Sequence, residues 1–500
     1  MKSEKMSWLT RLIRFAPLSL RMNLSSRSVV SIFVALVTFI LVGSGATPLP
    51  ASDGTPSPLE QRITRLEQLV EAKPLPAPAI NSGDNAWVLT SSALVLMMAA
   101  PGLILFYGGL VRSKNVLSTM MHTLILMALI SMLWMVFGYS MAFAPGNAFV
   151  GNPLTYFMLN GVNGTPNPDY AGAIPQQTFM LFQMMFAIIT PALISGAVAE
   201  RIKFKAYVIF VMLWITLVYF PLCHMVWGKG GYFNWALDGK VPVLDFAGGT
   251  VVHISSGVSA LVCAIMLGKR SGYPHQPMIP HNVVLSLIGT GLLWVGWFGF
   301  NAGSALSAGT LATSAFAATH FSAAAAALSW TLVEWWHKGR PSVLGTASGM
   351  VAGLATITPA SGFVTVPSAF FIGLAAGIVC YFAVTKLKAH FAYDDSLDVF
   401  GVHGIGSIVG MLMLGFLASA TVNPAIASTF QINGVVQSLA GGLHQFGNQT
   451  ICVLFTIAFA AIGTFVLLKI VDAIVGLRVD IEEESTGLDL SQHGERAYSE

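Results

Sequence analysis

Charge is what this sequence lacks. Only 9% of its 500 residues are Asp, Glu, Lys or Arg, while 55% are hydrophobic. A soluble domain carries roughly 25% charged residues, so an aqueous fold is excluded and a bilayer is the solvent that fits. The net charge of +3 gives no basis for binding nucleic acid. Cysteine is also scarce: Cys223, Cys263, Cys380 and Cys452 lie in or beside apolar runs, and no CxxC pair occurs. They read as small hydrophobes, not as disulfides or metal ligands. The apolar runs carry too few His and carboxylate residues, and no HExxH, for a membrane metalloenzyme, so neither a metal nor a cofactor is expected. What is abundant is glycine, 49 residues of it, which suits helices that approach closely in lipid.

The N-terminal part differs in texture. Residues 29–45 form an apolar run preceded by Arg21 and Arg27 and followed by small residues through Ala46. Residues 1–46 read as a secretory signal peptide, with a retained first membrane helix as the alternative, and Met22 is a second candidate start. Residues 47–83 are rich in Pro, Ala and Ser and read as an extracytoplasmic linker. Within 59–72, Leu59, Ile63, Leu66 and Val70 are spaced 4, 3 and 4 apart, which makes a short amphipathic helix or a two-heptad coil.

From residue 84 to 475 eleven apolar segments are long enough to be membrane spans: roughly 86–109, 116–143, 176–199, 206–227, 246–267, 281–303, 310–336, 342–359, 366–386, 399–420 and 449–475. The loops after the odd-numbered spans hold eleven Lys and Arg, whereas the even-numbered loops hold only Lys229 and Lys240. The positive-inside rule puts the odd loops in the cytoplasm. The N-terminus is then extracytoplasmic and the tail 476–500 cytoplasmic, in a multi-pass protein of the cell (inner) membrane. Val252-His253 and Val402-His403 sit five spans apart, a hint of an inverted repeat of spans 1–5 and 6–10.

Polar or ionisable groups inside spans are functional candidates by default. At the outer side, Phe182 and Phe186 share one helix face, as do Phe300 and Ser304, four residues apart in each case. Trp227 ends span 4 and Asp245 opens span 5. Aromatic faces and one hydroxyl could meet a small cation there, each cation–π contact being worth about 0.5–2 kcal/mol; singly, such aromatics are an ordinary interfacial belt. Asp245 is placed to cap the following helix, with a direct cation contact as the alternative. His253 lies about 12 Å inside span 5 and needs a partner, for which His403 is the candidate. By simple counting His403 is only about 7 Å from the inner face, which leaves a gap unless the start of span 10 dips inward. His122, His224, His320 and Glu334 are expected to pack or hydrogen-bond.

These runs resemble the ammonium transporters of the Amt/Mep/Rh family, in particular the bacterial Amt branch. The similarity is carried by FYGGLVRSKNVLS (106–118), DFAGGTVVHISSGVSALV (245–262), GWFGFNAGSA (296–305), DVFGVHGIGSIVG (398–410) and GLDLSQHGERAY (487–498), and it covers about residues 84 to 498. The resemblance implies an all-α polytopic membrane protein of eleven transmembrane helices with a pseudo-two-fold inverted repeat, one pore per subunit, assembled as a homotrimer. It implies substrate recruitment by Phe182, Trp227 and Ser304, a phenyl gate of Phe186 and Phe300, a pore lined by His253 and His403, and a structural aspartate at Asp245. It implies transport of ammonium or ammonia, with methylammonium as an analogue, and a tail that meets a cytosolic PII-type regulator in many relatives. Proton release near the gate and passage of neutral ammonia is the expected mechanism, with net charge movement left open. A short tail of about 25 residues argues against a sensor with its own signalling domain. His320 departs from the short polar residues common in relatives at that place.

Overall fold

The computed structural model describes residues 79–427, 430–432 and 435–498. The expected signal peptide and the 59–72 segment lie outside them. Among the described residues, ten helices are long and apolar enough to cross a membrane: α1 Ser82–Leu110, α2 Ser113–Phe143, α3 Gln176–Val198, α4 Phe204–Trp227, α5 Gly249–Leu267, α6 Val283–Gly303, α7 Thr310–Lys338, α9 Val366–Phe391, α10 Phe400–Leu417 and α11 Leu443–Val475. The eighth expected span is the shorter apolar helix α8, Val343–Ile357. Its fifteen residues rise about 22 Å, less than a hydrocarbon core of roughly 30 Å. The Ser342 hydroxyl caps its start by accepting from the Gly345 N–H, and turns from Thr358 to Val364 end it. Two short helices, α12 Ile481–Thr486 and α13 Leu488–His493, form the tail.

The spans differ in how deeply they are enclosed. Nearly every residue of α3 is buried, and α5 is nearly as enclosed, so these two form the middle of the bundle. A helix hydrophobic all round belongs in such an interior. Polar side chains inside the bundle are used to join helices. The Trp214 indole N–H on α4 donates to Ser259 Oγ on α5 at 3.0 Å and to Thr464 Oγ1 on α11 at 3.1 Å. Gln449 on α11 holds the chain just before α5, accepting from Leu244 N at 2.9 Å and donating to Leu244 O at 2.7 Å.

Several spans contain single π-helical turns. Those opening α5 (Gly249–Ile254) and α10 (Phe400–Gly404) each carry a histidine. The two elements repeat a pattern: Asp245 accepts backbone N–H groups at the start of the first, and Asp395 accepts Phe400 N at 2.8 Å at the start of the second. They stand five spans apart, as an inverted repeat requires.

The loops after odd-numbered helices gather on one face around two buried carboxylates. Glu200 accepts from Arg112 Nε at 2.9 Å and pairs with Arg270 at 3.1 Å, while Arg270 forms a two-pronged pair with Asp394 at 2.9 and 3.0 Å. Burial alone would raise the pKa of both carboxyl groups. The arginines outweigh it and hold both below the ordinary carboxylate range. The tail docks on the same loops. Glu484 accepts from Ser271 N at 2.6 Å and pairs with Arg478 at 2.7 Å, and Leu488 N donates to Asn115 Oδ1 at 2.8 Å. Asp395, fully enclosed beside these groups, behaves in the opposite way: burial pushes its carboxyl up to about 6, with Lys388 opposing.

Candidate functional site: a gated pore

On the side of the even-numbered loops a cavity of about 300 Å³ opens, walled by Trp227, Phe186, Gln183, Asp245 and Ser304 among others. Trp227 is fixed there because its indole N–H donates to Asp245 O at 3.0 Å. The Asp245 carboxylate is itself spent as a cap. It accepts from Gly248 N at 2.8 Å, Gly249 N at 2.7 Å and Thr250 N at 2.8 Å, and also from the Thr250 hydroxyl. These are the otherwise unpaired donors at the start of α5. Ser304 donates its hydroxyl proton to Phe300 O at 2.8 Å, which leaves its oxygen lone pairs free.

Phe182 is placed differently from the sequence expectation. It is fully buried and does not line this cavity. Its ring packs edge-on against Phe186, centroids 5.0 Å apart, behind Gly303, where a Cβ would come within 2.9 Å of it. A period of four puts Phe182 and Phe186 on one face of α3, but the Phe182 ring is held between Phe186 and Gly303 at the end of α6. Phe182 therefore props Phe186. Gln183, one position on, reaches the cavity instead.

Below the cavity the passage is closed by two rings from different helices. Phe186 on α3 and Phe300 on α6 lie 4.2 Å apart between centroids, tilted by 35°. Phe186 faces this first cavity and Phe300 faces a narrow void of about 10 Å³, at the lower limit for one water molecule. The void is lined by apolar side chains such as Leu103, Ile189 and Leu293, and by His253 and His403. The two imidazoles stack at 5.2 Å with their Nδ1 atoms 3.2 Å apart, so one of the two must donate and the other accept. Trp297 lies nearly parallel to the His253 ring at 5.4 Å. Past His403, on the side of the odd-numbered loops, a second cavity of about 280 Å³ opens, walled by Tyr107, Tyr273, Arg270, Lys388 and Asp398 among others.

The depth gap between the histidines does not exist in the fold. Neither α5 nor α10 begins at a surface. Each starts at an internal cap, with His253 and His403 within its first turn or so, and the two starts meet. Gly257 and Gly404 make this approach feasible, because a Cβ on Gly257 would lie 2.4 Å from Gly404 N. The lone polar residues of other spans find ordinary tasks. His224 sits between the Ala142 and Asn147 carbonyls, and Glu334 accepts from Ser342 and Lys338. His122 packs on Tyr207, and exposed His320 on Trp294. Sequence reasoning missed Gln183, Trp297 and Gln449. Trp297 carried a usable signal: it stands three residues before Phe300, on the same face of α6, inside GWFGFNAGSA.

A bundle of membrane-length helices with two opposed vestibules and a closed, one-molecule-wide middle defines a polytopic transporter. The profile described as Ammonium Transporter Family matches residues 86–498. The chain is 47% identical over 418 residues to the ammonium transporter of Bacillus subtilis, covering 84% of this chain and 99% of that one. It is 44% identical over 420 residues to ammonium transporter Amt1 of Archaeoglobus fulgidus, covering 84% and 100%. Its fold is similar to the crystal structure of Candida albicans Mep2, with a TM-score of 0.74 at 34% identity over 84% of this chain and 91% of that one. The chain belongs to the ammonium transporter family, a family of membrane transporters and not of enzymes, and ammonium transport is the activity this membership assigns.

Proposed function

We propose that ammonium is recruited at the outer cavity by the Trp227 and Phe186 faces and Ser304, with Phe182 supporting the wall, and loses its proton near the Phe186–Phe300 gate. Ammonia then crosses the narrow void past His253 and His403 and leaves through the inner cavity. The observation that carries this is the void of about 10 Å³ between closed phenyl rings and paired imidazoles. Stripping a permanent ion of water costs many kcal/mol, and aromatic contacts do not offset it. Neutral ammonia escapes most of that cost. Potassium has no proton to shed, so the same passage rejects it.

The proton either follows through the imidazoles or stays outside. A current during an ammonium pulse on reconstituted protein, recorded across pH, assigns the first; uptake without current assigns the second. The histidines are tested by labelled methylammonium uptake in vesicles with His253→Ala. Flux and potassium exclusion both unchanged would remove them from the mechanism.

The cellular arrangement is proposed with it: a homotrimer with one pore per subunit in the inner membrane, residues 1–46 exported as a signal peptide, and the tail in the cytoplasm. The eleven basic residues of the odd-numbered loops support that orientation. The docked tail offers a surface for a cytosolic PII-type regulator, and a pull-down with and without residues 476–500 tests it.

A further inference from the structure

We propose that Gln183 is a second hydrogen-bond acceptor for the recruited cation and sets its affinity together with Ser304. This rests on recruitment at the outer cavity, and it names what that site uses besides aromatic faces.

Ammonium presents four N–H donors, and once it leaves water each needs an oxygen or a ring face. Most oxygen atoms in the cavity wall are already committed. The Asp245 carboxylate accepts four hydrogen bonds from the start of α5. Asn234 Oδ1 accepts from Ala236 N and Leu237 N, and Asn423 Oδ1 accepts from Ala425 N. Asp169 is paired with Lys229 at 2.7 Å, and the Tyr170 oxygen accepts from Lys229 N. Ser304 retains lone pairs. Gln183 is the remaining case: its Oε1 is buried and, among the described residues, no donor reaches it.

A buried amide oxygen without a donor costs free energy, which a ligand bearing N–H groups would recover. Gln183 stands three residues before Phe186 on α3, about one turn further out, so it lies above the gate and not within it. Half a rotation about the last side-chain torsion exchanges oxygen and nitrogen of the planar amide, so the acceptor can be turned to the cavity without moving the helix. The site then offers ammonium two oxygens and two ring faces. Methylammonium, with one N–H fewer, gains less from it.

The test is half-saturation of labelled methylammonium uptake, and its competition by ammonium, in proteoliposomes of full-length protein. Gln183→Met keeps the length of the side chain and removes the acceptor. A charge-assisted hydrogen bond is worth about a tenfold shift, so half-saturation should rise about tenfold with maximal rate changed less than about twofold. Gln183→Glu keeps an acceptor and adds charge, so half-saturation should fall. Trp227→Leu is run beside them. If Trp227→Leu raises half-saturation and Gln183→Met does not, the inference about Gln183 is overturned and recruitment stands. If neither changes it, both are overturned. Should Gln183→Met not accumulate as folded protein, the Glu variant decides: half-saturation equal to or above wild type overturns the inference.

Discussion

Replacing Asp245 with alanine leaves three backbone donors, Gly248 N, Gly249 N and Thr250 N, without an acceptor in the interior of the bundle. Each buried, unpaired donor costs about 1–3 kcal/mol, so the total is about 3–9 kcal/mol. Whole folds are stable by only about 5–15 kcal/mol. Asp245→Ala should therefore melt far below wild type and accumulate poorly. Asparagine keeps one acceptor oxygen and turns its amide NH2, a donor, toward donors, so Asp245→Asn should fold with a lowered melting temperature. The Trp227 indole is bonded to the Asp245 carbonyl, and loosening of this turn should also raise half-saturation in the Asn variant. Fluorescence-detected gel filtration, thermal melting in detergent and uptake in vesicles read the three effects. A wild-type melting temperature for Asp245→Ala would refute the capping argument. Unchanged stability of Asp245→Asn with impaired uptake would move the carboxylate from cap to cation contact.

Arg270→Met should cost about 3–5 kcal/mol, because Glu200 and Asp394 stay buried after their shared partner is lost; denaturant titration in detergent measures it. Both carboxyl groups are held below the ordinary range, so their contribution is present above about pH 4 and is lost as pH falls further. Wild-type stability should therefore drop steeply under acid, and less so in Arg270→Met. Asp395 has the opposite sign. Its carboxyl is raised from 3.8 to about 6, so stability is greatest below about pH 4 and declines as pH rises to 6. Asp395→Asn should match wild type near pH 4 and exceed it by up to about 3 kcal/mol at pH 7, read from paired melting curves. Phe300→Ala removes one of the two closing rings. Potassium flux in vesicles should rise about tenfold, which needs only ~1.4 kcal/mol off the barrier, and an unchanged flux would show that the rings do not seal the passage.

Hydropathy and charge act locally along the chain, and a helix converts residue number into depth. The spans, their alternating loops and the level of each aromatic were therefore legible in the residues alone. For this reason the sequence alone puts Trp227, Ser304, Phe186 and Phe300 on one side of the membrane. What meets across helices was not legible. The histidines touch because α5 and α10 both start inside the protein and two glycines let their backbones close, whereas counting from the membrane surfaces set them apart. Phe182 stays out of the cavity because its ring is packed between Phe186 and Gly303, whereas Gln183, one position on, lines it. The loop arginines, visible beforehand only as a charge bias, find Glu200 and Asp394 through contacts between segments far apart in the chain. No local pattern encodes such pairings; they follow from which faces pack.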